Sequence, residues 1–197
     1  RPIAAHLLGM LRWGGRRPYY DARYLADATE RVLSERRDRP LFLWVHFLDC
    51  HFPFRRAHQL RAPYARKMTL ERGESDLYRA DPFWQSDAGR DLLLEAYDNE
   101  LEEVDAALLR ILDALGAPPE RGRIVVFFSD HGEEFFEHGG IEHGHAFWQQ
   151  VVAVPLVIAG VPSLASRSAI TTPVAHEDLA ATLRAALGLL PAEHPGR

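Results

Sequence analysis

Three short apolar runs along the chain alternate with amphipathic stretches. The runs are RPLFLWVHFLD (39–49), GRIVVFFSD (122–130) and VVAVPLVIAG (151–160), and each is nearly continuous, as in strands buried on both faces. Pro155 interrupts the third run, which therefore predicts an edge strand or a bent strand. Such strands alternating with helices predict an α/β fold, with a mostly parallel sheet flanked by helices.

The amphipathic stretches predict three helices. The clearest spans 91–115, where apolar side chains recur at steps of three and four and the acidic residues between them form a solvated face. Similar spacing predicts a helix over 20–36, with Asp21 as its N-cap. A closing helix is predicted from Glu177 to Ala186, with Gly188 ending it.

Residues 53–90 show neither the apolar spacing typical of a helix nor an apolar run typical of a strand. They contain three prolines and two glycines among arginines and aromatic residues, which predicts a long, mostly irregular excursion with one short helix. A long loop inside a compact domain is often a lid or a substrate loop, and we interpret 53–90 in this way.

Composition limits the class of protein. The 197 residues suit one or at most two domains, and the net charge of -5 gives no electrostatic reason to expect nucleic-acid binding. No apolar run reaches the roughly 20 residues that span a bilayer, and no signal peptide is visible. The single cysteine, Cys50, excludes an internal disulfide. Because the chain starts without methionine, we expect it to be a piece of something longer.

Ligand-type residues follow two of the predicted strands. In open α/β sheets, ligands bind beyond the carboxyl ends of the strands. A carboxylate beside an imidazole there predicts half of a divalent-metal site, if Gly132 lets the backbone turn so that both side chains reach one ion. The residues concerned are His46, Asp49 and His51 after the first strand, and Asp130 and His131 after the second.

The stretch FFSDHGEEFFEHGGIEHGH (127–145) holds four histidines on a glycine-rich segment. His143 and His145 flank Gly144, so at most one of them is expected to face the site. A histidine in such a place can bind an anionic oxygen or protonate a leaving group. His138 is interpreted as a surface residue, and the role of His145 is left open.

Five blocks occur in an order that resembles the sulfatase family of the alkaline phosphatase superfamily. They are PLFLWVHFLDCHFPF, YDNELEEVDAALLRILDALG, RIVVFFSDHGEEFFEHG, EHGHAFWQQVVAVPLVIAG and VAHEDLAATLRAALGL. The resemblance covers about residues 20–190 and implies an alkaline-phosphatase-like fold. It is more specific than any single motif, because SDHG alone would also suit an ordinary turn.

The resemblance implies roles for particular residues. Asp130 and His131 would be metal ligands, for Ca²⁺ in the first place and otherwise Mg²⁺, Mn²⁺ or Zn²⁺. His51 and His143 would be the catalytic residues that contact the sulfate or phosphate group. Arg55, just past His51, would bind a distal anionic part of the substrate, or would only add surface solubility.

The family also has a first half that this sequence lacks. It supplies two further acidic metal ligands and a Cys- or Ser-x-Pro-x-Arg motif whose first residue becomes formylglycine. Cys50 has no arginine at that spacing, so formylglycine is expected upstream. We therefore expect 1–197 to be part of a catalytic domain, with half of the metal site and part of the anion pocket, and to be inactive alone.

The resemblance implies metal-dependent hydrolysis of sulfate esters, with an anionic sulfate or phosphate ester as substrate. Two alternatives stay open. One is a phosphoglycerol or phosphoethanolamine transferase, or another phosphoester hydrolase of the superfamily, and the other is a degenerate paralogue that only binds. The family favours a periplasmic, membrane-anchored or extracellular location, with any membrane anchor in segments upstream.

Overall fold

The computed structural model describes residues 20–35, 40–54, 75–118, 122–161 and 169–189. Contacts divide the chain into two compact units. The first comprises Arg1–Ala117 and Glu134–Glu142, and the second comprises Pro118–Glu133 and His143–Arg197. The chain therefore leaves the second unit after Glu133 and re-enters it at His143. In the described ranges, no helix combines the length and hydropathy that a membrane crossing requires.

Two helices form one layer of the first unit. Helix α1 (Ala22–Ser34) begins where the Asp21 side chain accepts a hydrogen bond from the Tyr24 amide at 2.9 Å, as predicted. It packs on the long helix α4 (Asp87–Leu115) through small and branched apolar side chains, and the small ones allow a close approach. The buried residues of this layer are Ala22, Ala26, Val104, Ala107 and Ile111.

Ion pairs flank the same helix layer. The hydrogen bonds that Arg23 donates to Glu103, and that Arg110 donates to Glu30 and Asp27, raise the pKa of each guanidinium above its ordinary value. Because solvent screens charges at the surface, these pairs contribute little to the stability of the fold.

An aromatic core forms the rest of the first unit. Helices α2 (Ser75–Ala80) and α3 (Pro82–Gln85) place Tyr78 and Trp84 in a cluster with Phe52 and Phe54, and Trp84 is completely buried. The prediction of an irregular excursion is therefore wrong over 75–90. Helices α2 and α3 are short, so they have too few turns to show a helical period in the sequence. The remainder of the predicted lid, 55–74 with Arg55, lies outside the described residues.

A β-hairpin completes this core. Strands β2 (Glu134–Phe135) and β3 (Ile141–Glu142) pair antiparallel, with Glu134 opposite Glu142 and Phe135 opposite Ile141. The buried Glu134 carboxylate accepts hydrogen bonds from the His138 amide at 3.0 Å and the Gly140 amide at 2.9 Å. Half of the glycine-rich segment is therefore a folded hairpin of the first unit rather than a loop.

The second unit contains the other strand pair. Strand β1 (Val125–Phe128) pairs antiparallel with β4 (Leu156–Ala159), and helices α5 (Gln149–Val152) and α6 (His176–Ala186) belong to the same unit. The run predicted as one strand over 151–160 is thus the end of a helix followed by a strand. A continuous apolar run does not distinguish a buried helix turn from a strand.

Both strand pairs within the described ranges are antiparallel. The described part of the apolar run at 39–49 forms no hydrogen-bonded strand. The combination of helices and strands is as predicted, whereas the mostly parallel sheet stays a prediction. A strand forms only by pairing with another strand, and the sequence of one apolar run does not show which segment it pairs with.

Asp49 serves the first unit as a structural residue. Its side chain is 2% exposed, and its Oδ1 accepts a hydrogen bond from the Ala22 amide at 3.0 Å, in the first turn of α1. A carboxylate there satisfies an amide that has no partner within the helix, and it interacts favourably with the helix dipole. The sequence groups Asp49 with the ligand-type residues, but its described contact stabilises a helix start.

We expect Asp49→Ala to lower the free energy of unfolding by about 1–3 kcal/mol, because a buried amide loses its acceptor. Asp49→Asn is the matched control, since the amide oxygen can still accept from Ala22. Urea denaturation of both variants measures the difference. An alanine variant as stable as the wild type would contradict this role.

Candidate functional site

The segment that follows β1 turns sharply through local hydrogen bonds. The Ser129 hydroxyl donates to the His131 carbonyl at 2.7 Å, and the His131 amide donates to Asp130 Oδ1 at 3.1 Å. Side chains of consecutive residues point to opposite faces only while a strand stays extended. The turn therefore allows Asp130 and His131 to approach each other.

Gly132 is required by a close backbone contact. Its amide donates to the Val151 carbonyl at 2.8 Å, and a Cβ at this position would lie 2.0 Å from the Gln150 carbonyl oxygen. The predicted turn is present, but the φ angle of Gly132 is not positive, so the backbone conformation itself does not require glycine. Glycine is needed here because the backbone of α5 leaves no room for a side chain.

Asp130 and His131 present two potential metal ligands. Asp130 Oδ1 and His131 Nε2 lie 3.8 Å apart. Metal bonds to carboxylate oxygen and imidazole nitrogen are about 2.0–2.6 Å long, so one divalent ion can reach both atoms. The Asp130 side chain is 70% exposed, whereas that of His131 is 28% exposed. The pair is thus open to further ligands, and its donor set fits a divalent cation.

His131 is held by its other ring nitrogen. Its Nδ1 lies 2.9 Å from the Gly132 carbonyl oxygen. A carbonyl oxygen can only accept, so Nδ1 carries the proton and Nε2 is the nitrogen that would bind a metal. Histidine ligands in metal sites commonly have this arrangement.

His143 lies against His131 within the second unit. The two imidazoles stack with their centroids 3.6 Å apart and an interplanar angle of 25°. His143 Nδ1 lies 3.1 Å from Glu133 Oε1. The second unit therefore brings together three of the predicted site residues, Asp130, His131 and His143.

The other described residues of the predicted site are histidines that belong to both units. His51 is a half-buried residue of the first unit, and its Nδ1 faces the Phe52 carbonyl oxygen. In His51, His131 and His143 alike, Nδ1 thus faces an oxygen acceptor, which leaves Nε2 as the nitrogen that would contact a ligand. His46, His138 and His145 are exposed.

Two residues near this segment were not predicted from the sequence. Glu133 contacts His143, as described above. His176, at the start of α6, has Nε2 2.9 Å from the Ser129 carbonyl oxygen, and its ring lies 5.8 Å from that of Phe128. It therefore anchors the chain just before Asp130. Neither contact has a local sequence signal, because the partners are 10 and 47 residues apart.

The comparisons with known proteins agree on one family. A family model described as Sulfatase matches residues 9–189. The uncharacterized sulfatase YidJ of Escherichia coli (strain K12) is 33% identical over 82 residues, which cover 42% of this chain and 16% of YidJ. No solved structure gives a significant match. Because the family model covers nearly the whole sequence and contains the Asp130–His131 turn, the chain belongs to the sulfatase family.

Proposed function

We propose that this chain is part of a metal-dependent hydrolase of sulfate esters. One observation carries the proposal: Asp130 Oδ1 and His131 Nε2 lie 3.8 Å apart, with the His143 ring stacked on that of His131. A carboxylate beside two stacked imidazoles suits both a divalent cation and the anionic group that the cation would bind. Membership of the sulfatase family supports this use of the three side chains.

In this proposal Asp130 and His131 contribute half of a metal site, with Ca²⁺ as the expected ion. The remaining acidic ligands and the formylglycine nucleophile would come from a part of the protein outside these 197 residues. A bound divalent cation supplies charge neutralisation at the ester oxygens and lowers the pKa of an oxygen nucleophile. The contact from the Gly132 carbonyl keeps the His131 ring oriented for this task.

His143 and His51 are assigned to the anionic group. With Nδ1 of each ring held by an acceptor, Nε2 is the atom that would contact a sulfate oxygen. A protonated Nε2 donates to the oxygens on which negative charge increases in the transition state, and one of the two rings would protonate the leaving alcohol. Arg55 would bind a more distant anionic part of the substrate.

Two observations lead us to propose a sulfate ester rather than a phosphate ester as the substrate. The family model that matches the chain is Sulfatase, and the relative with 33% identity is named a sulfatase. The segment DCHFPF (49–54) also resembles hydrolytic sulfatases more than the phospho-transferases of the superfamily. A periplasmic, membrane-anchored or extracellular location is part of the same proposal.

The test is turnover of a matched pair of substrates, an aryl sulfate and the corresponding aryl phosphate, by the full-length protein. We expect preferential cleavage of the sulfate and a loss of at least about 100-fold in turnover after chelation, because a bound cation contributes several kcal/mol to the transition state. Re-addition of Ca²⁺ should restore activity.

Mass spectrometry of the nucleophile peptide separates the alternatives. Formylglycine, together with turnover of the aryl sulfate, would support the proposal. An unmodified threonine with phosphoryl transfer would move the assignment to the transferases. A protein with neither metal binding nor turnover would be a non-catalytic relative.

A further inference from the structure

Glu133 is a buried carboxylate that the proposed chemistry does not use. Its side chain is only 5% exposed, and it directly follows the turn that carries Asp130, His131 and Gly132. A buried carboxylate is costly unless hydrogen bonds compensate for its lost hydration. The structure gives it such a contact with His143, whose Nδ1 lies 3.1 Å from Glu133 Oε1.

The hairpin explains why residues ten positions apart meet. In strands β2 and β3, Glu134 pairs with Glu142 and Phe135 with Ile141. Glu133 directly precedes Glu134 and His143 directly follows Glu142, so these two residues flank the paired ends of the hairpin. The pairing therefore brings Glu133 and His143 close to each other although ten positions separate them.

The two adjacent glutamates have different contacts. Glu134 accepts from the His138 and Gly140 amides within the hairpin. Glu133 contacts the His143 imidazole. The hairpin thus needs Glu134 for its own fold, while the Glu133 carboxylate acts on a side chain of the proposed site.

We propose that Glu133 is the positioning residue of His143. An ionised carboxylate can only accept, so Nδ1–H of His143 donates to it and the ring is oriented with Nε2 toward the substrate anion, to which Nε2 donates when it is protonated. The carboxylate on the ring edge and the His131 ring on its face, 3.6 Å away, together restrict rotation of the imidazole. This inference rests on the proposed function in so far as His143 contacts the anion.

The experiment combines two readouts on the full-length protein. Nitrogen NMR with ¹⁵N only in histidine reports which ring nitrogen of His143 carries the proton, and His143→Gln identifies its resonances. Calorimetry with inorganic sulfate reports the affinity for the anion. Glu133→Met removes the acceptor at similar volume, Glu133→Gln keeps an acceptor without charge, and Glu134→Gln makes the same change at the neighbouring buried carboxylate.

We expect Nδ1 of His143 to be protonated in the wild type, in Glu133→Gln and in Glu134→Gln. In Glu133→Met we expect a substantial fraction of the ring to lose the Nδ1 proton. We also expect sulfate affinity to fall about tenfold, because the imidazole is no longer held with Nε2 toward the anion. Glu133→Gln should recover most of that affinity, which a defect of folding would not allow.

An unchanged His143 tautomer in Glu133→Met would overturn the inference, and so would an equal effect of Glu134→Gln. The NMR readout does not depend on turnover. If the wild type binds no sulfate while the tautomer still follows residue 133, the proposed function fails and the positioning role stands.

Discussion

Asp130→Ala is expected to abolish divalent-metal binding and to reduce turnover at least about 1,000-fold, a loss of some 4 kcal/mol of transition-state stabilisation. The variant removes one of the two proposed ligand atoms, which lie 3.8 Å apart, and His131 Nε2 alone would bind an ion weakly. Because the Asp130 side chain is 70% exposed, the fold should tolerate the change. Metal calorimetry and aryl sulfate turnover measure the two effects.

Asp98→Ala is the matched control for this variant. Asp98 is also an exposed aspartate, on the solvated face of α4, so the same substitution there should change neither metal affinity nor turnover. Wild-type turnover in Asp130→Ala would contradict the assignment of the metal half-site, whatever the overall activity of the protein.

Gly132→Ala is expected to lower the free energy of unfolding by about 2–3 kcal/mol and to weaken metal binding. The new Cβ would lie 2.0 Å from the Gln150 carbonyl oxygen, and a backbone atom cannot move aside as a flexible side chain can. Relief requires the turn or α5 to shift, and a shift of the turn displaces Asp130 and His131. Denaturant unfolding and metal calorimetry measure the two effects.

Gly139→Asn is the control for Gly132→Ala, because it changes a glycine with a positive φ without creating a steric clash. Gly139 has a φ of 85°, and a Cβ at this position would meet no atom of the described residues within 4 Å apart from its chain neighbours. Asparagine tolerates such a φ better than most residues, so we expect this control to cost less than about 1 kcal/mol. A Gly132→Ala variant that is as stable as Gly139→Asn, with unchanged metal affinity, would show that the close contact with α5 is unimportant.

Long periodic elements are predictable from the sequence. Helix α1 falls inside the predicted 20–36, and α4 contains the predicted 91–115. The observed start of α4 is earlier because the Ser86 side chain accepts from the Gly89 amide, a cap that precedes the apolar repeat. Periodicity predicts the body of a helix, whereas local hydrogen bonds decide its ends.

Short elements are less predictable. The run 151–160 has the pattern of one strand but contains the end of α5 and then β4, and the stretch 75–90 has the composition of a loop but is mostly helical. Four to six residues carry too little periodic information, so tertiary contacts determine their conformation. The buried Trp84 of the four-residue helix α3 is an example.

The sequence by itself determined the family, because the matched blocks and their order are properties of the chain itself. The choice of Asp130 and His131 as metal ligands stays a prediction. The choice of His51, Arg55 and His143 as substrate-contacting residues came from the resemblance and also stays a prediction. Tertiary structure alone decided that Asp49 stabilises a helix start, that Gly132 makes room for α5, and that Glu133 meets His143. Each of these contacts joins residues at least ten positions apart, and only the folded chain brings such partners together.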